Sequence, residues 1–411
     1  MQIKPPKPWG LFIFDKVGFS NQYIQNANTI ISSYDGHIPF HHFIKQYLSS
    51  NKKFGSKDRK AITNACYCYY RLGKSLKDIP LNEKIKTGIY LCQNEPGHWK
   101  EIYSDGWIKN WTDDLLQRVN FVSSVYSFDE KEIFTWQNEL SEQINNKAFT
   151  ISHLIQPNLY LRIRPAKESK VKQRLIEAGI AFEITKDCVT LPNATKIENV
   201  VVLNKDVVVQ DLSSQRIADF FPINQSHKTL KIWDCCAASG GKSLLAYDHL
   251  SPIEITASDI RPSIIHNLEK RFTQAGIDRY RSLVLDVTDN ETNAAAALHT
   301  KFDLIICDAP CTGSGTWGRT PEQLTFFDPR RISEYAALQK QIAFNALQHM
   351  NIQGHFLYIT CSVFKQENEE IVNALKEKFH LDIVKMELIK GYDKKADTMF
   401  AALLRKPAIA D

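Results

Sequence analysis

The 411-residue chain lacks several features that would place it outside the ordinary globular proteins. It has no run of about 18 apolar residues, so the sequence predicts no membrane-spanning helix. The first residues, MQIKPPKPWGLFIFDKVG, carry prolines and charges where a signal peptide needs an uninterrupted apolar stretch. We therefore expect a cytoplasmic protein. Its 43% hydrophobic and 24% charged residues are typical of a folded chain rather than a disordered one.

Paired cysteine motifs are also lacking. The nine cysteines are scattered, several fall inside predicted strands, and none form CxxC pairs with the spacing of a zinc site. The sequence therefore predicts neither a disulfide framework nor a metal site, and free thiols are typical of a reducing compartment. Cys66 and Cys68 lie two positions apart, so on a helix they face different directions and are expected to fill the core.

Positive charge is modest overall but concentrated at one end. The net charge is +5, whereas residues 1–80 alone hold twelve Lys or Arg against four Asp or Glu. Such a basic region is a candidate nucleic-acid surface. A merely solvated face would have the same composition, so charge alone does not decide between the two.

The periodicity of apolar residues divides the chain into three segments. Helical spacing dominates from about residue 21 to 145, which predicts a helical domain at 1–145. Residues 159–186 predict a strand, an amphipathic helix closed by Gly179 and a second strand, a small βαβ-type unit within 146–207. From residue 230 short apolar strands alternate with helices. This alternation predicts an α/β domain at 208–411 with a doubly wound parallel sheet.

A glycine turn and three acids follow the strands of this predicted sheet. The turn CAASGGKS, Cys236–Ser243, follows a strand that ends in Asp234, and its glycines allow a ligand to approach the backbone and the next helix. Asp259, Asp286 and Asp308 end the next three strands, where such sheets bind ligands. The first is placed for ribose hydroxyls and the second for an adenine amino group. The pattern favours a nucleoside cofactor, and the lack of a full GxGxxG disfavours hydride transfer.

Two cysteines end the fourth and fifth of these strands. Cys311 lies in DAPCTGSG and Cys361 in TCS. Strands four and five are neighbours in the doubly wound order, so both thiols are expected to face one cleft beside the cofactor. A single such cysteine is more often a small buried hydrophobe. The pair in this setting points to thiol chemistry.

The motifs VQDLSSQ, DCCAASGGKS, SDIRPS, LDV, DAPCTGSG and TCSV together resemble the Sun/Fmu (RsmB-like) family of S-adenosylmethionine-dependent RNA cytosine-5 methyltransferases. The resemblance extends over about residues 155–407. The stretch FGSKDRKAITNACYCYYRLG resembles the NusB-like RNA-binding module attached to some of these enzymes. The resemblance implies a Rossmann-like class I methyltransferase domain, preceded by a small RNA-recognition domain and an all-helical NusB-like domain.

The resemblance also implies roles for single residues. Cys361 would add to carbon 6 of cytosine, because carbon 5 alone is too weak a nucleophile to accept a methyl group from a sulfonium. Cys311 would assist release of the adduct, and Asp308 would contact the cytosine edge and help to protonate N3. Lys242 is a candidate for stabilising the Cys361 thiolate, or for contacting only the cofactor. The residues implied to bind S-adenosyl-L-methionine are Cys236, Ala237, Ala238, Ser239, Gly240, Gly241, Lys242, Asp259, Asp286 and Asp308.

The substrate is left open between several RNAs. The NusB-like resemblance favours small-subunit ribosomal RNA, and the alternatives are a transfer RNA methyltransferase, a non-catalytic ribosome-assembly factor and, more weakly, a protein or small-molecule methyltransferase. Ser239 stands where the family usually has proline, which predicts a looser cofactor loop. We expect a monomer. The predicted phosphate contacts are Lys52, Lys53, Lys57, Arg59, Lys60, Arg71 and Lys74, with Arg162 and Arg164 as further candidates.

Overall fold

The computed structural model describes residues 19–51, 53–223, 228–289, 298 and 300–408. The chain folds as two compact units, Met1–Asp129 and Glu130–Asp411. In the described part, no helix combines the length and the apolar character needed to cross a bilayer. The predicted domain limits at residues 145 and 207 stay predictions.

The described part of the first unit is helical, as predicted. Apolar residues recur every three or four positions, and in the first helix Ile24, Ala27, Ile30 and Ile31 are buried together. Cys66 and Cys68 are both buried in the same core. The helices are α1 Phe19–Ser33, α2 Phe40–Ser50, α3 Ser56–Tyr70, α4 Leu81–Cys92, α5 Asp105–Lys109 and α6 Leu115–Val125, with a 3-10 helix at Gly97–Ile102.

The first described α-helix of the second unit is α7, Asn146–Ser152, and a four-stranded antiparallel sheet follows it. Its elements are β1 Leu159–Ile163, α8 Glu168–Glu177, β2 Glu183–Thr185, β3 Cys188–Leu191 and β4 Val207–Val209. The sheet order is β2-β3-β1-β4, with every pair antiparallel. Strand, helix and strand therefore occur in the predicted order, but β3 lies between β1 and β2. The two strands of the predicted βαβ-type unit are therefore not adjacent in the sheet.

A seven-stranded sheet forms the rest of the second unit. Its strands are β5 Leu230–Asp234, β6 Ile253–Asp259, β7 Tyr280–Val284, β8 Phe302–Asp308, β9 Met350–Thr360, β10 Asp382–Ile389 and β11 Met399–Arg405. The described helices beside it are α9 Leu212–Gln215, α10 Gly241–Leu250, α11 Pro262–Ala275, α12 Gln323–Phe326, α13 Arg330–Leu347 and α14 Glu369–Phe379. Short 3-10 helices occur at Glu130–Glu132, Gln137–Glu139, Arg216–Phe220, Ser314–Thr316 and Tyr392–Lys394.

The sheet order is β10-β11-β9-β8-β5-β6-β7. Strands β5 to β9 pair in parallel, which confirms the predicted doubly wound architecture. Strand β11 instead runs antiparallel to β9 and β10. The connection between β10 and β11, residues 390–398, is too short for the crossover that a parallel pair needs.

The core of this sheet fixes the position of the site. Ile232, Trp233, Leu304, Ile306 and Leu357 on the central strands are fully buried. Strand β5 lies between β8 and β6, so the order of the strands reverses there. Ligands of doubly wound folds bind beyond the carboxyl ends of the strands at this reversal.

Candidate active site

The loop between β5 and α10 is a tight turn that only glycine allows at one position. Gly240 has φ +81°, and a Cβ there would lie 2.6 Å from Phe272 Cε1. Ala238 also has a positive φ, of 45°, and its N–H donates to Asp259 Oδ2 at 3.1 Å. The predicted cofactor loop is thereby held against the end of β6.

A cavity of about 500 Å³ opens at this reversal of strand order. Its volume lies in the range of small-molecule and cofactor sites. Of the predicted cofactor residues, those that line it are Cys236, Ala238, Asp259, Asp286 and Asp308. Apolar side chains complete its wall, namely Ile260, Leu285, Val287, Leu338 and Ile342. Acids beside an apolar wall fit a nucleoside with polar ribose hydroxyls and a flat base.

Asp259 is the most strongly bound of these acids. Arg261 donates to both of its oxygens through Nε and Nη2, at 2.9 and 3.0 Å, and the Arg261 N–H donates at 3.0 Å. Burial opposes ionisation, but these hydrogen bonds and the one from Ala238 hold the pKa of Asp259 below its usual value. A ribose would have to share this carboxylate with Arg261, whose side chain is 57% exposed. Asp286 is exposed and accepts from Thr288 N and Oγ1.

Asp308 lies between the cofactor cavity and the thiols. Lys242 Nζ donates to Asp308 Oδ2 at 3.0 Å and to Ser214 Oγ at 2.9 Å. Lys242 is buried, whereas the Asp308 side chain is 32% exposed and can be reached by a ligand. The lysine therefore orients the carboxylate. Its suggested effect on the Cys361 thiol stays a prediction.

The structure brings the two predicted thiols together. Cys311 Sγ and Cys361 Sγ lie 3.2 Å apart, at the ends of the paired parallel strands β8 and β9, and both residues are half-buried. Cys311 also lines the cofactor cavity. Its hydrogen bond with Cys361, together with burial, raises the pKa of Cys311 well above its usual value. Cys311 therefore holds its proton and can donate to Cys361.

A buried carboxylate that the sequence analysis missed anchors both thiol loops. Glu367 Oε1 accepts from Thr312 Oγ1 and Ser362 Oγ, each at 2.5 Å, and Glu367 Oε2 accepts from Thr312 N at 2.9 Å. These two partners are the residues that directly follow Cys311 and Cys361. Glu367 is fully buried. In the sequence it stands in QENEE, where several acids before a helix suggest an ordinary exposed first turn, so only the fold reveals its role.

Its neighbour Asn368 braces the same loop from the other side. Thr360 Oγ1 donates to Asn368 Oδ1 at 2.6 Å, and Asn368 Nδ2 donates to the Ser362 carbonyl at 3.0 Å. Both residues that flank Cys361 are thus tied to the start of α14. The backbone that carries this thiol is held by buried polar contacts rather than by apolar packing alone.

Several predicted phosphate contacts are corrected by the structure. Arg71 is buried, with 2% of its surface exposed. Arg162 on the inner strand β1 and Arg164, which directly follows that strand, are buried as well, and both donate to Asp248 on α10. Lys52 lies outside the described residues. The exposed members of the predicted set are Lys53, Lys57 and Lys60, while Arg59 and Lys74 are half-buried.

The parallel sheet, the glycine turn and the cavity define a Rossmann-like methyltransferase domain. Residues 222–405 match the family described as 16S rRNA methyltransferase RsmB/F. The match extends over somewhat less than half of the chain and confirms the Sun/Fmu resemblance for these residues. S-adenosylmethionine is the methyl donor of this class of domain, so the predicted cofactor is confirmed for the class.

Individual relatives agree with this match, and solved structures agree with the fold. Ribosomal RNA small subunit methyltransferase B of Xanthomonas campestris pv. campestris is 28% identical over 226 residues, which cover 54% of this chain and 51% of that protein. The crystal structure of PH0851 covers 93% of this chain and 99% of its own, with TM-score 0.66 and 18% identity. NSun6 from Pyrococcus horikoshii with SFG has TM-score 0.57 and 14% identity, over 67% of this chain and 97% of its own. The chain spans about half the length of the curated relatives it matches first.

Proposed function

We propose that the protein is an RNA cytosine-5 methyltransferase that acts on small-subunit ribosomal RNA and uses S-adenosylmethionine. One observation carries the proposal: two thiols lie 3.2 Å apart, and one of them, Cys311, lines the cofactor cavity together with the accessible carboxylate of Asp308. Methyl transfer to a nitrogen or oxygen needs no thiol pair, whereas methylation of cytosine carbon 5 needs a nucleophile at carbon 6. Relatives named ribosomal RNA small subunit methyltransferase B support the choice of RNA.

The first step is addition of the Cys361 thiolate to carbon 6. A bond forms between Cys361 Sγ and carbon 6, the ring electrons move toward carbon 5, and N3 takes up a proton from solvent. Asp308, held by Lys242 and open to the cavity, is placed to accept a hydrogen bond from the protonated N3. The target base has to leave any helical stack to reach this pocket.

S-adenosylmethionine, when bound, supplies a sulfonium methyl group for carbon 5. The residues proposed to hold it are those of the turn Cys236–Lys242 with Asp259, Asp286 and Asp308. The fit rests on the acids and the apolar wall of the cavity. Asp259 is already ionised by its hydrogen bonds, so it is ready to accept from hydroxyl groups.

Cys311 completes the reaction. Once Cys361 has bonded to carbon 6, it no longer accepts the hydrogen bond that holds the Cys311 proton. Cys311 can then lose that proton to solvent and take the remaining proton from carbon 5. The carbon 5–carbon 6 double bond re-forms, the carbon–sulfur bond breaks, and Cys361 leaves as a thiolate. N3 returns its proton to solvent.

The test measures methyl transfer from labelled S-adenosylmethionine to deproteinised 16S rRNA and to bulk tRNA, with denaturing gels. Wild type should form 5-methylcytosine in rRNA, Cys361→Ala should be inactive, and Cys311→Ala should accumulate a covalent protein–RNA adduct. Cys188→Ala, a buried thiol on β3, serves as the matched control and should behave as wild type. Activity in Cys361→Ala contradicts the nucleophile assignment. Labelling of tRNA alone favours the transfer RNA alternative, and RNA binding without any labelling favours an assembly factor.

A further inference from the structure

Three more thiols form a cluster at the start of the cofactor loop. Cys235 and Cys236 directly follow β5, and Cys307 lies on β8, the next strand in the sheet. Their sulfur atoms all lie within 4.8 Å of one another. A hydrogen bond of 2.9 Å from Cys235 N to the Ile306 carbonyl fixes the two strands at this level. The fold assembles this cluster from distant residues, which is why cysteine spacing in the sequence predicted no metal site.

We propose that Cys235, Cys236 and Cys307 form a binding site for a soft, thiol-seeking metal ion, with Zn²⁺ and Cu⁺ as the biological examples. Thiolates select these ions over Mg²⁺ or Ca²⁺. With Zn–S bonds of about 2.3 Å, the sulfurs around one tetrahedral ion lie about 3.8 Å apart. The observed spacing therefore meets this geometry after shifts of an ångström or less. Binding displaces thiol protons to the buffer.

The surroundings of the cluster favour a cation. Cys235 and Cys236 line the cofactor cavity, which gives an ion a route to the sulfurs and space for a fourth ligand such as water. Asp234 is fully buried and interacts electrostatically with Cys236, and its Oδ1 has no hydrogen-bond partner among the described residues. Ordinary core filling explains a buried thiol, but it does not explain three sulfurs within 4.8 Å of one another and a neighbouring carboxylate oxygen without a partner among the described residues.

An ion at this site would affect the cofactor cavity. Cys236 belongs both to the cluster and to the cavity wall, so a bound ion projects into the space proposed for S-adenosylmethionine. Ion and cofactor should therefore compete. This consequence, unlike the site itself, rests on the proposed placement of the cofactor.

The test uses the full-length chain with Cys311→Ser and Cys361→Ser, because the reactive pair would itself bind soft ions. Zn²⁺ is the probe, and its affinity is measured by competition with a chromophoric chelator under reducing conditions. We expect one ion whose affinity falls at least about 100-fold when either Cys307→Ala or Cys235→Ala is added, because changing a residue that only orients a ligand already costs about 10- to 100-fold. Cys188→Ala in the same background should keep the ion. Circular dichroism of each variant verifies folding.

Two results overturn the proposal. One is that the Cys311→Ser, Cys361→Ser protein binds no ion. The other is that adding Cys307→Ala or Cys235→Ala leaves a folded protein with the same zinc affinity. Competition is measured separately, as the affinity for S-adenosylmethionine with and without Zn²⁺. A zinc-dependent loss of affinity that disappears in Cys307→Ala supports it, and an unchanged affinity contradicts it. Because the test protein lacks both reactive thiols, failure of the RNA methylation proposal would appear in the labelling assay and not here.

Discussion

The buried carboxylate of Glu367 provides the sharpest test of how the two thiols are held. In Glu367→Gln one carboxylate oxygen becomes an NH₂ group that faces donors, because both oxygens accept from Thr312, Ser362 or Gln339. About two hydrogen bonds to a charged group are lost, each worth about 1.5–3 kcal/mol. The local cost of about 3–6 kcal/mol falls on contacts to Thr312, Ser362 and Gln339, of which the first two directly follow the thiols. The substitution keeps the volume of the side chain, so it creates no cavity.

The expected effect is on chemistry rather than on binding. A misplacement of reacting groups by about 1 Å can reduce the rate about 100-fold, so we expect kcat for RNA methylation to fall about 10- to 100-fold. The affinity for S-adenosylmethionine should change less than about threefold, because Glu367 does not line the cofactor cavity. Single-turnover methyl transfer and equilibrium cofactor binding measure the two quantities separately.

The control is Glu370→Gln, the same substitution at an exposed position at the start of α14. It should leave both kcat and cofactor affinity unchanged. Thermal unfolding of both variants shows whether the native fold persists at the assay temperature. Wild-type kcat in a folded Glu367→Gln protein would refute the reasoning, and so would a loss of rate fully matched by a loss of cofactor affinity.

Three further predictions concern the cofactor loop and the acids at the ends of the neighbouring strands. Gly240→Ala should destabilise the domain by about 3 kcal/mol, because it combines a positive φ with a clash against Phe272; denaturant unfolding measures this, and an unchanged midpoint would contradict it. Asp259→Asn should weaken S-adenosylmethionine binding about 10- to 100-fold by removing a charged acceptor, as titration calorimetry would show. Burial raises the pKa of Asp234 from 3.8 to about 7, so this group stabilises the fold when protonated and loses that contribution as pH rises from about 4 to 7. The free energy of unfolding of Asp234→Asn, relative to that of wild type, should therefore rise by about 4 kcal/mol over that pH range. Denaturant unfolding at a series of pH values measures this, and parallel profiles for the two proteins would exclude the effect.

The features predicted correctly share one property: each depends on local pattern plus a general rule of topology. Strand spacing indicated the sheet, and the rule that parallel strands present their carboxyl ends at one edge brought Asp259, Asp286 and Asp308 to one cavity. The neighbour relation of the fourth and fifth strands in the sheet was enough to place Cys311 beside Cys361. None of this needed knowledge of side-chain packing.

The errors and omissions depend instead on contacts between distant segments. Arg162 and Arg164 look like surface cations in the sequence, yet β1 is an inner strand and Asp248, more than eighty positions away, accepts from both. Glu367 looks like one acid among several before a helix, although its partner Thr312 is 55 positions away. A charged residue can be buried only where the fold supplies its partners. Local pattern therefore indicates where a ligand binds, whereas the residues that hold the reacting groups in position emerge only once the strands and loops have been brought together.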